Sequence, residues 1–200
     1  MKGNNTYLLS ALTIAFLTQC SPKKPVSNQE EFPAQQPTVA YGGFESQIKW
    51  GEHLVSVGAC NMCHTPKKIT AAGFVYDNDR LLSGHPSQTT TNLDLKEISR
   101  KGIVSSADFT AWAGPWGISF TANLTPDDTG IGPWTEEQFI TAIREGKYKG
   151  LSGSRSLLPP MPWEMYRNWT DSEIRAVFAY LRTIKAVKNM VPAPIAPGIP

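Results

Sequence analysis

One short run of this 200-residue chain combines two thiols with an imidazole. It reads Cys60-Asn61-Met62-Cys63-His64. Because residues three and four apart lie on one face of a helix, two thiols at this spacing can add to the two vinyl groups of one porphyrin. The histidine that follows then offers its imidazole to the iron. This is the C-x-x-C-H pattern of covalent c-type haem attachment, and it predicts one haem c held by Cys60, Cys63 and His64.

Two other kinds of chemistry use paired cysteines. A structural zinc site needs four ligands, usually with a second Cys or His pair at finger or ribbon spacing. Of the other histidines only His53 and His85 are available, and neither has that spacing. A thioredoxin-like redox pair follows a strand in a βαβ unit, and no such pattern surrounds Cys60. Both alternatives stay open at this point, but haem attachment is favoured.

Haem iron that is bound by a histidine on one side takes a second ligand on the other side or keeps an open position. Met161 lies in the run Leu158-Pro159-Pro160-Met161-Pro162-Trp163. The prolines lack backbone donors and hold φ near about −65°, which makes a stiff loop that can aim one thioether. Met161 is therefore the predicted sixth ligand. Met165 and His85 are the main alternatives, and Met190 is less favoured.

Capping signals and apolar spacing predict three helices around these residues. Thr135–Gln138 and Thr170–Glu173 both fit the capping box. The second box is followed by apolar residues at core-facing helical spacing, namely Ile174, Val177, Phe178 and Leu181. A further helix, which carries Leu54, Val55 and Val57, is predicted to end in the C-x-x-C-H motif.

Further segments resemble the class I cytochromes c, and most closely the cytochrome domains associated with bacterial periplasmic dehydrogenases. The resemblance extends over roughly residues 48–186 and rests on Gly58–Pro66, Leu81–Pro86, Ala122–Pro126 with Gly130–Gly132, and the Pro-Met-Pro-Trp loop. Dehydrogenase-linked relatives often carry three C-x-x-C-H motifs, whereas this chain has one. The resemblance implies an all-α fold in which cytochrome c-like helices surround one haem. The segment from Pro66 to Pro133 is longer than such a fold needs, and we expect an irregular loop insertion with short turns and at most one small hairpin.

The same resemblance implies roles for single residues. It makes His64 and Met161 the axial ligands, and it places four side chains in the haem crevice, namely Asn123, Thr125, Trp134 and Trp163. The last helix is expected to cross the first over the haem edge.

The implied function is one-electron transfer at a membrane surface, in exchange with a dehydrogenase, an oxidase or another cytochrome. A dedicated electron-accepting subunit of an alcohol or sugar dehydrogenase complex is the alternative. A haem enzyme or sensor with an open sixth position, using His85 and Arg80, is a third interpretation. Lys147, Lys149 and Arg155, which precede the Met161 loop, form either a solvated charged loop or a weak docking patch for an acidic partner.

The two ends of the chain have the composition of targeting and linking segments. Residues 1–20 combine Lys2 with an apolar stretch and end in Leu17-Thr18-Gln19-Cys20, which resembles a bacterial lipobox. We therefore predict a lipoprotein signal peptide over 1–20, with lipidation at Cys20. The Pro-rich, polar residues 21–46 are predicted to be a flexible tether, residues 47–188 the cytochrome domain and residues 189–200 a Pro-rich tail.

Composition limits the partners and the location. A formal net charge of +2 gives no basic field that would favour nucleic acid. No apolar run reaches the roughly 20 residues that a membrane-spanning helix needs. Together with the signal peptide, this predicts an exported protein on the periplasmic side of a bacterial membrane, held there by the lipid on Cys20.

Overall fold

The computed structural model describes residues 40–89, 93 and 102–197. The predicted signal peptide, Cys20 and most of the predicted tether lie outside the described residues. Within the described part the helices are α1 (Gln47–Val57), α2 (Cys60–His64), α3 (Glu136–Glu145), α4 (Trp163–Tyr166) and α5 (Asp171–Leu181). The strands are β1 (Lys67–Thr70), β2 (Gly73–Tyr76), β3 (Val104–Ser105), β4 (Ala111–Gly114) and β5 (Gly117–Phe120). Short 3-10 turns lie at Ala40–Gly43, Asn78–Arg80 and Tyr148–Gly150.

The longer helices begin where side chains satisfy their free amide groups. The Ser46 side chain accepts a hydrogen bond from the backbone amide of Lys49 at the start of α1. Both predicted capping boxes are present, at Thr135 before α3 and at Thr170 before α5. Each box satisfies two amide groups that would otherwise lack partners at the helix start. No helix within the described ranges has both the length and the apolarity that crossing a membrane requires.

The core is centred on the packing of α1 against α5, which is the most extensive contact between two elements in the described part. Leu54 and Val55 of α1 meet Ile174, Val177 and Leu181 of α5 in one buried apolar cluster. The two backbones approach closely at Gly51, where a Cβ atom would lie 1.9 Å from the carbonyl oxygen of Ala176. The first and last long helices therefore pack directly against each other.

The expectation of an all-α fold is wrong, because the segment between α2 and α3 forms two antiparallel sheets. Strands β1 and β2 pair as a hairpin, with Lys67 opposite Tyr76 and Thr70 opposite Gly73. Strands β3, β4 and β5 form a second sheet in that order. The strands contain β-branched and aromatic residues, which favour extended backbone. They are two to four residues long, too short for an alternating pattern to be recognised in the sequence.

The described part of the Pro-rich tail packs back onto this second sheet. The backbone groups of Ile195 and Ile118 exchange two hydrogen bonds of 2.9 and 2.8 Å, so the tail pairs with β5. Asn189 is buried, and its side-chain amide donates to the carbonyl oxygens of Ser83 (2.7 Å) and His85 (2.9 Å). Its side-chain oxygen also accepts a hydrogen bond from the backbone amide of Ser87. The tail thus connects the loop after the hairpin with the second sheet.

Candidate functional site

A cavity brings the C-x-x-C-H motif and the Met161 loop together, although they are about a hundred residues apart in the sequence. It is partly open to solvent, and its empty space together with the solvent at its mouth amounts to about 1260 Å³. Cys60, Cys63 and His64 line one part of it, and Met161 lines another. Most of the remaining lining is apolar. Part of it comes from α3, α5 and the loop before α3, which contribute Leu124, Trp134, Phe139, Ile143, Val177 and Leu181. An apolar pocket with few polar groups is typical of a cofactor site.

His64 is fixed in the form that binds a metal. Its ring is buried, and Nδ1 lies 2.8 Å from the carbonyl oxygen of Ala122. Since a carbonyl can only accept, Nδ1 carries the proton and the lone pair stays on Nε2. Burial lowers the pKa of His64, and the hydrogen bond to Ala122 opposes this only in part. The imidazole is therefore neutral at neutral pH, and the Ala122 carbonyl orients its ring in the way that metal-binding histidines are commonly oriented.

Cys60 and Cys63 are neutral thiols that face the same cavity. Neither forms a disulfide. Burial raises the pKa of Cys60 to about 11, and burial also raises the pKa of Cys63 against an opposing effect of Lys67. Within the described ranges no three His, Cys, Asp or Glu side chains are grouped so as to hold a metal ion. The pair also follows helix α1 rather than a strand. This arrangement fits attachment of a group with two reactive positions better than a zinc or a thioredoxin-like site.

The Met161 loop is anchored on both sides by hydrogen bonds. Before Met161, the Ser119 hydroxyl on β5 donates to the carbonyl oxygen of Pro159 at 2.6 Å. After it, the Tyr166 hydroxyl donates to the carbonyl oxygen of Gly58, just ahead of the C-x-x-C-H helix, also at 2.6 Å. Met161 itself is half-buried against the core. These contacts hold the thioether in a fixed position at the cavity.

The alternative sixth ligands lie elsewhere. Met165 and Met190 are 70% and 68% exposed, and neither lines the cavity. His85 is buried outside the cavity lining, with Nδ1 2.7 Å from the hydroxyl oxygen of Thr110. Arg80 donates to the carboxylate of Asp77 at 2.6 Å and is likewise absent from the lining. Among the described lining residues, His64 is the one histidine and Met161 the one methionine.

The four residues predicted to lie in the haem crevice are found in different places. Trp134 lines the cavity. Asn123 and Thr125 do not line it. The Asn123 side-chain amide donates to the carbonyl oxygen of Val187 at 2.9 Å, and the Thr125 hydroxyl donates to the Asn123 side chain at 2.8 Å. They therefore fasten the start of the tail. Trp163 is also outside the lining and packs over Gly146, where a Cβ atom would lie 2.4 Å from its ring.

Sequence reasoning missed several groups that shape the site. The most important are the Ala122 carbonyl and the Ser119 hydroxyl, together with Trp112 and Thr121 in the lining. Every residue carries a carbonyl, so nothing marks Ala122 before the fold is known. The strand that positions Ser119 was itself not predicted. The Tyr166 hydroxyl was missed for a similar reason, since its partner is a backbone oxygen of a residue distant in the sequence.

The residues at the cavity fit a haem c on observations of the structure alone. Two cysteines and a histidine lie on one helix, and a methionine lies on a separate loop of the same cavity. The buried hydroxyl of Thr121, which also lines the cavity, has no hydrogen-bond partner in the described part of the chain. A buried polar group is normally paired, so this hydroxyl fits a bound group with a polar edge.

Comparison with known proteins points in the same direction. No protein-family model matches the chain. The chain is 38% identical over 151 residues, 74% of its length, to one of the subunits of nicotinate dehydrogenase from Pseudomonas putida. It is 34% identical over 93 residues, 43% of its length, to the fructose dehydrogenase cytochrome subunit of Gluconobacter japonicus. It is 24% identical over 160 residues, 78% of its length, to the cytochrome c subunit of the quinone-type alcohol dehydrogenase of Gluconobacter oxydans.

The matched segments cover 9%, 18% and 27% of these three relatives, so the chain corresponds to a minor part of each. Two of the three carry a cytochrome designation in their names. The similarity supports a cytochrome c-type domain in this chain, with haem c binding and an electron-transfer role.

Proposed function

We propose that this chain binds one haem c through thioether bonds to Cys60 and Cys63, with His64 and Met161 as axial ligands, and that it transfers single electrons. The observation that carries the proposal is that these four side chains line one largely apolar cavity, with the His64 ring fixed by Ala122. When bound, the haem supplies an iron centre that changes its charge by one electron. His/Met ligation gives such a centre a comparatively high reduction potential.

The protein's part in this function is to hold ligands and to exclude water. The Ala122 carbonyl keeps the proton on Nδ1 of His64, so that Nε2 is the ring atom free to bind an iron. The hydrogen bonds that anchor its loop would hold the Met161 thioether in place when the haem is bound. Because the lining is apolar, little solvent has to reorganise when the charge changes. No proton needs to move within the site.

We propose further that the electron partner is a dehydrogenase. The supporting observation is that all three relatives are named as dehydrogenase subunits. Export and lipid anchoring at Cys20 are part of the proposal and rest on the composition of residues 1–20 and their Leu-Thr-Gln-Cys ending. A lipid and a flexible tether would keep the domain close to its partners and raise its effective concentration there.

The first test is absorption spectroscopy of the purified protein in the oxidised and reduced states. The wild type is expected to show a haem c spectrum with the weak near-infrared sulfur-to-iron band. Met161→Ala should abolish that band, whereas Met165→Ala, the matched control on an exposed methionine, should retain it. A haem c spectrum whose near-infrared band survives Met161→Ala would place the sixth ligand elsewhere. A protein without haem would contradict the whole proposal.

The dedicated subunit and the free carrier differ in how firmly they hold a partner. A dedicated subunit should co-purify with a larger dehydrogenase chain under mild conditions, and a free carrier should purify alone. An enzyme or sensor with an open position should bind an added ligand such as carbon monoxide in the reduced wild type without loss of a protein ligand. The presence of Met161 in the cavity lining supports electron transfer over that alternative.

A further inference from the structure

Arg155 is the one permanently charged side chain among the described residues that line the cavity. It lies at the solvent-facing side and is itself exposed. Its guanidinium stacks on the Tyr148 ring, 4.1 Å from the ring centre, and donates one hydrogen bond to the carbonyl oxygen of Ser156. Since a guanidinium has five N–H donors, most of its donors are not used by these contacts.

The position of Arg155 is set by the backbone around it. The backbone amide of Tyr148 donates to the carbonyl oxygen of Arg155 at 2.9 Å. Lys147 and Ser156 form an isolated antiparallel bridge beside this contact. The ion pairs found in the described part of the chain do not include Arg155. A fixed cation therefore faces a largely apolar cavity with no carboxylate from the described residues beside it.

A second polar group at the cavity is a buried hydroxyl without a hydrogen-bond partner among the described residues. The Thr121 hydroxyl is buried and makes no hydrogen bond in the described part of the chain. Leaving such a group unpaired is unfavourable, so a ligand that accepts its hydrogen bond would be favoured. The cavity thus offers a cation and an unpaired hydroxyl donor in a largely apolar lining. The complementary ligand is flat and apolar and carries carboxylates at one edge, and a haem with its two propionate groups has this chemistry.

We propose that Arg155 is the counter-ion of a haem propionate, that the Thr121 hydroxyl donates to the same polar edge, and that the pair raises the reduction potential. This rests on the proposed haem binding. An uncompensated carboxylate stabilises the oxidised, more positive iron by Coulomb attraction. A guanidinium beside the carboxylate cancels this stabilisation of the oxidised iron. Arginine suits this role because its planar fork binds a carboxylate through two hydrogen bonds.

The test is a redox titration of purified holoprotein for the wild type and four variants. Arg155→Gln should lower the reduction potential, and Arg155→Lys should keep most of it because the charge remains. Lys149→Gln is the matched control, since Lys149 is an exposed cation close to the same Tyr148 ring but outside the lining. It should change the potential less than Arg155→Gln. Thr121→Val should lower the potential by a smaller amount. The near-infrared band should persist in all four variants.

Two results would overturn the counter-ion assignment while leaving haem binding intact. One is an equal shift in Arg155→Gln and Lys149→Gln, which would make Arg155 an ordinary surface charge. The other is an unchanged potential in Arg155→Gln. If Arg155→Gln yields no holoprotein, the reduction potential of Thr121→Val is the test in its place. A potential below that of the wild type would support the assignment, and an unchanged potential would overturn it. A wild type without haem would instead overturn the proposed function, and this inference with it.

Discussion

The Ala122 carbonyl and the Ser119 hydroxyl each make one hydrogen bond that positions a candidate axial ligand. Ala122 orients the His64 ring directly. Ser119 acts through the backbone, because its hydroxyl donates to the carbonyl oxygen of Pro159, two residues before Met161. Ser119 also accepts a hydrogen bond from the Trp116 indole at 3.2 Å, which sets the direction of its own proton. It is a positioning residue rather than a ligand.

Ser119→Ala should weaken the hold on Met161 without removing it. The lost hydrogen bond is worth about 1 kcal/mol, so added imidazole should displace the methionine at roughly fivefold lower concentration. The measurement is an imidazole titration of the oxidised holoprotein, followed through loss of the near-infrared band. Ser152→Ala, on an exposed serine of the neighbouring loop, is the control and should leave the midpoint unchanged. Equal midpoints for Ser119→Ala and the wild type would show that the loop holds Met161 without Ser119.

Asp77 is a buried carboxylate whose ionisation stabilises the fold. Burial by itself would raise its pKa, but hydrogen bonds from Lys68 and Arg80 outweigh burial and lower the pKa below the usual value. Because the folded-state pKa lies below the unfolded-state value of about 3.9, the stabilisation is present above about pH 4. It is lost as the pH falls through the folded-state pKa. Asp77→Asn should lower the free energy of unfolding by about 1–3 kcal/mol at pH 7.

Unfolding in urea at pH 7 and at pH 3 tests this effect. The wild type should lose more stability than Asp77→Asn between the two values. Asp79→Asn is the matched control, since Asp79 is 84% exposed and lies 3.6 Å from the same lysine. It should change stability by less than about 0.5 kcal/mol. An Asp77 variant as stable as the wild type at pH 7 would be evidence against the stabilising role.

How well the sequence predicts single residues depends on whether the chemistry constrains their spacing. Cys60, Cys63 and His64 could be chosen because attachment to one porphyrin requires three side chains in a fixed order. Met161 could be chosen because prolines on both sides restrict its loop. Asn123 and Thr125 have polar side chains that suit a crevice, but in the structure they bond to each other and to the tail. The neighbouring sequence does not show whether such an amide and hydroxyl face a haem crevice or bond to another part of the chain.

Among the elements, the crossing of α1 and α5 depends on a residue with no side chain. At Gly51 a Cβ atom would lie 1.9 Å from the carbonyl oxygen of Ala176 and 2.8 Å from Cβ of Tyr180. The Ala176 oxygen belongs to the backbone of a buried helix and cannot move aside. The apolar residues of both helices were identifiable in the sequence from their spacing. The contact at Gly51 could not be identified in the sequence, because it depends on how two distant helices are arranged.

Gly51→Ala should destabilise the fold although alanine is the better helix former. Alanine gains about 1 kcal/mol in helix propensity, but the clash forces the helices apart at a cost of about 1–3 kcal/mol or more. Because the clash is with backbone, we expect a net loss and a lower Tm in thermal unfolding. Gly153→Ala is the control, since a Cβ atom there would meet nothing within 4 Å. A Tm equal to or above that of the wild type for Gly51→Ala would contradict the packing.

The strands show why element type could not be predicted throughout. The helices α3 and α5 have capping boxes and ten or eleven residues each, which is enough to show a helical period. Strand β3 has two residues and the others have four, so each is defined by its partner rather than by its own pattern. Antiparallel pairing across a tight turn supplies the missing hydrogen bonds. The sequence of this segment therefore predicts irregular structure where the structure has two sheets.

Across the whole molecule, the tail joins parts of the chain that no single element connects. The tail and the two residues before it, together 187–195, contact the loop after the hairpin, the loop that carries Asn123 and Thr125, and strand β5. The second of these loops also supplies the Ala122 carbonyl that orients His64. A Pro-rich composition is typical of a segment without helices, and the described part of the tail contains none. Its hydrogen bonds, however, come from asparagine and backbone groups rather than from prolines.

Asn189→Ala should loosen this connection. The Asn189 side chain makes three hydrogen bonds, to the backbone of Ser83, His85 and Ser87, and its removal leaves the buried carbonyl groups of Ser83 and His85 without this donor. We expect a loss of about 2–3 kcal/mol in the free energy of unfolding and faster proteolytic cleavage within the tail. Met190→Ala, on the exposed neighbouring residue, should change neither. Because the tail supports the loop behind His64, Asn189→Ala should also allow imidazole to displace the proposed Met161 ligand more easily. Wild-type stability and an unchanged cleavage rate in Asn189→Ala would mean that the tail lies on the fold without stabilising it.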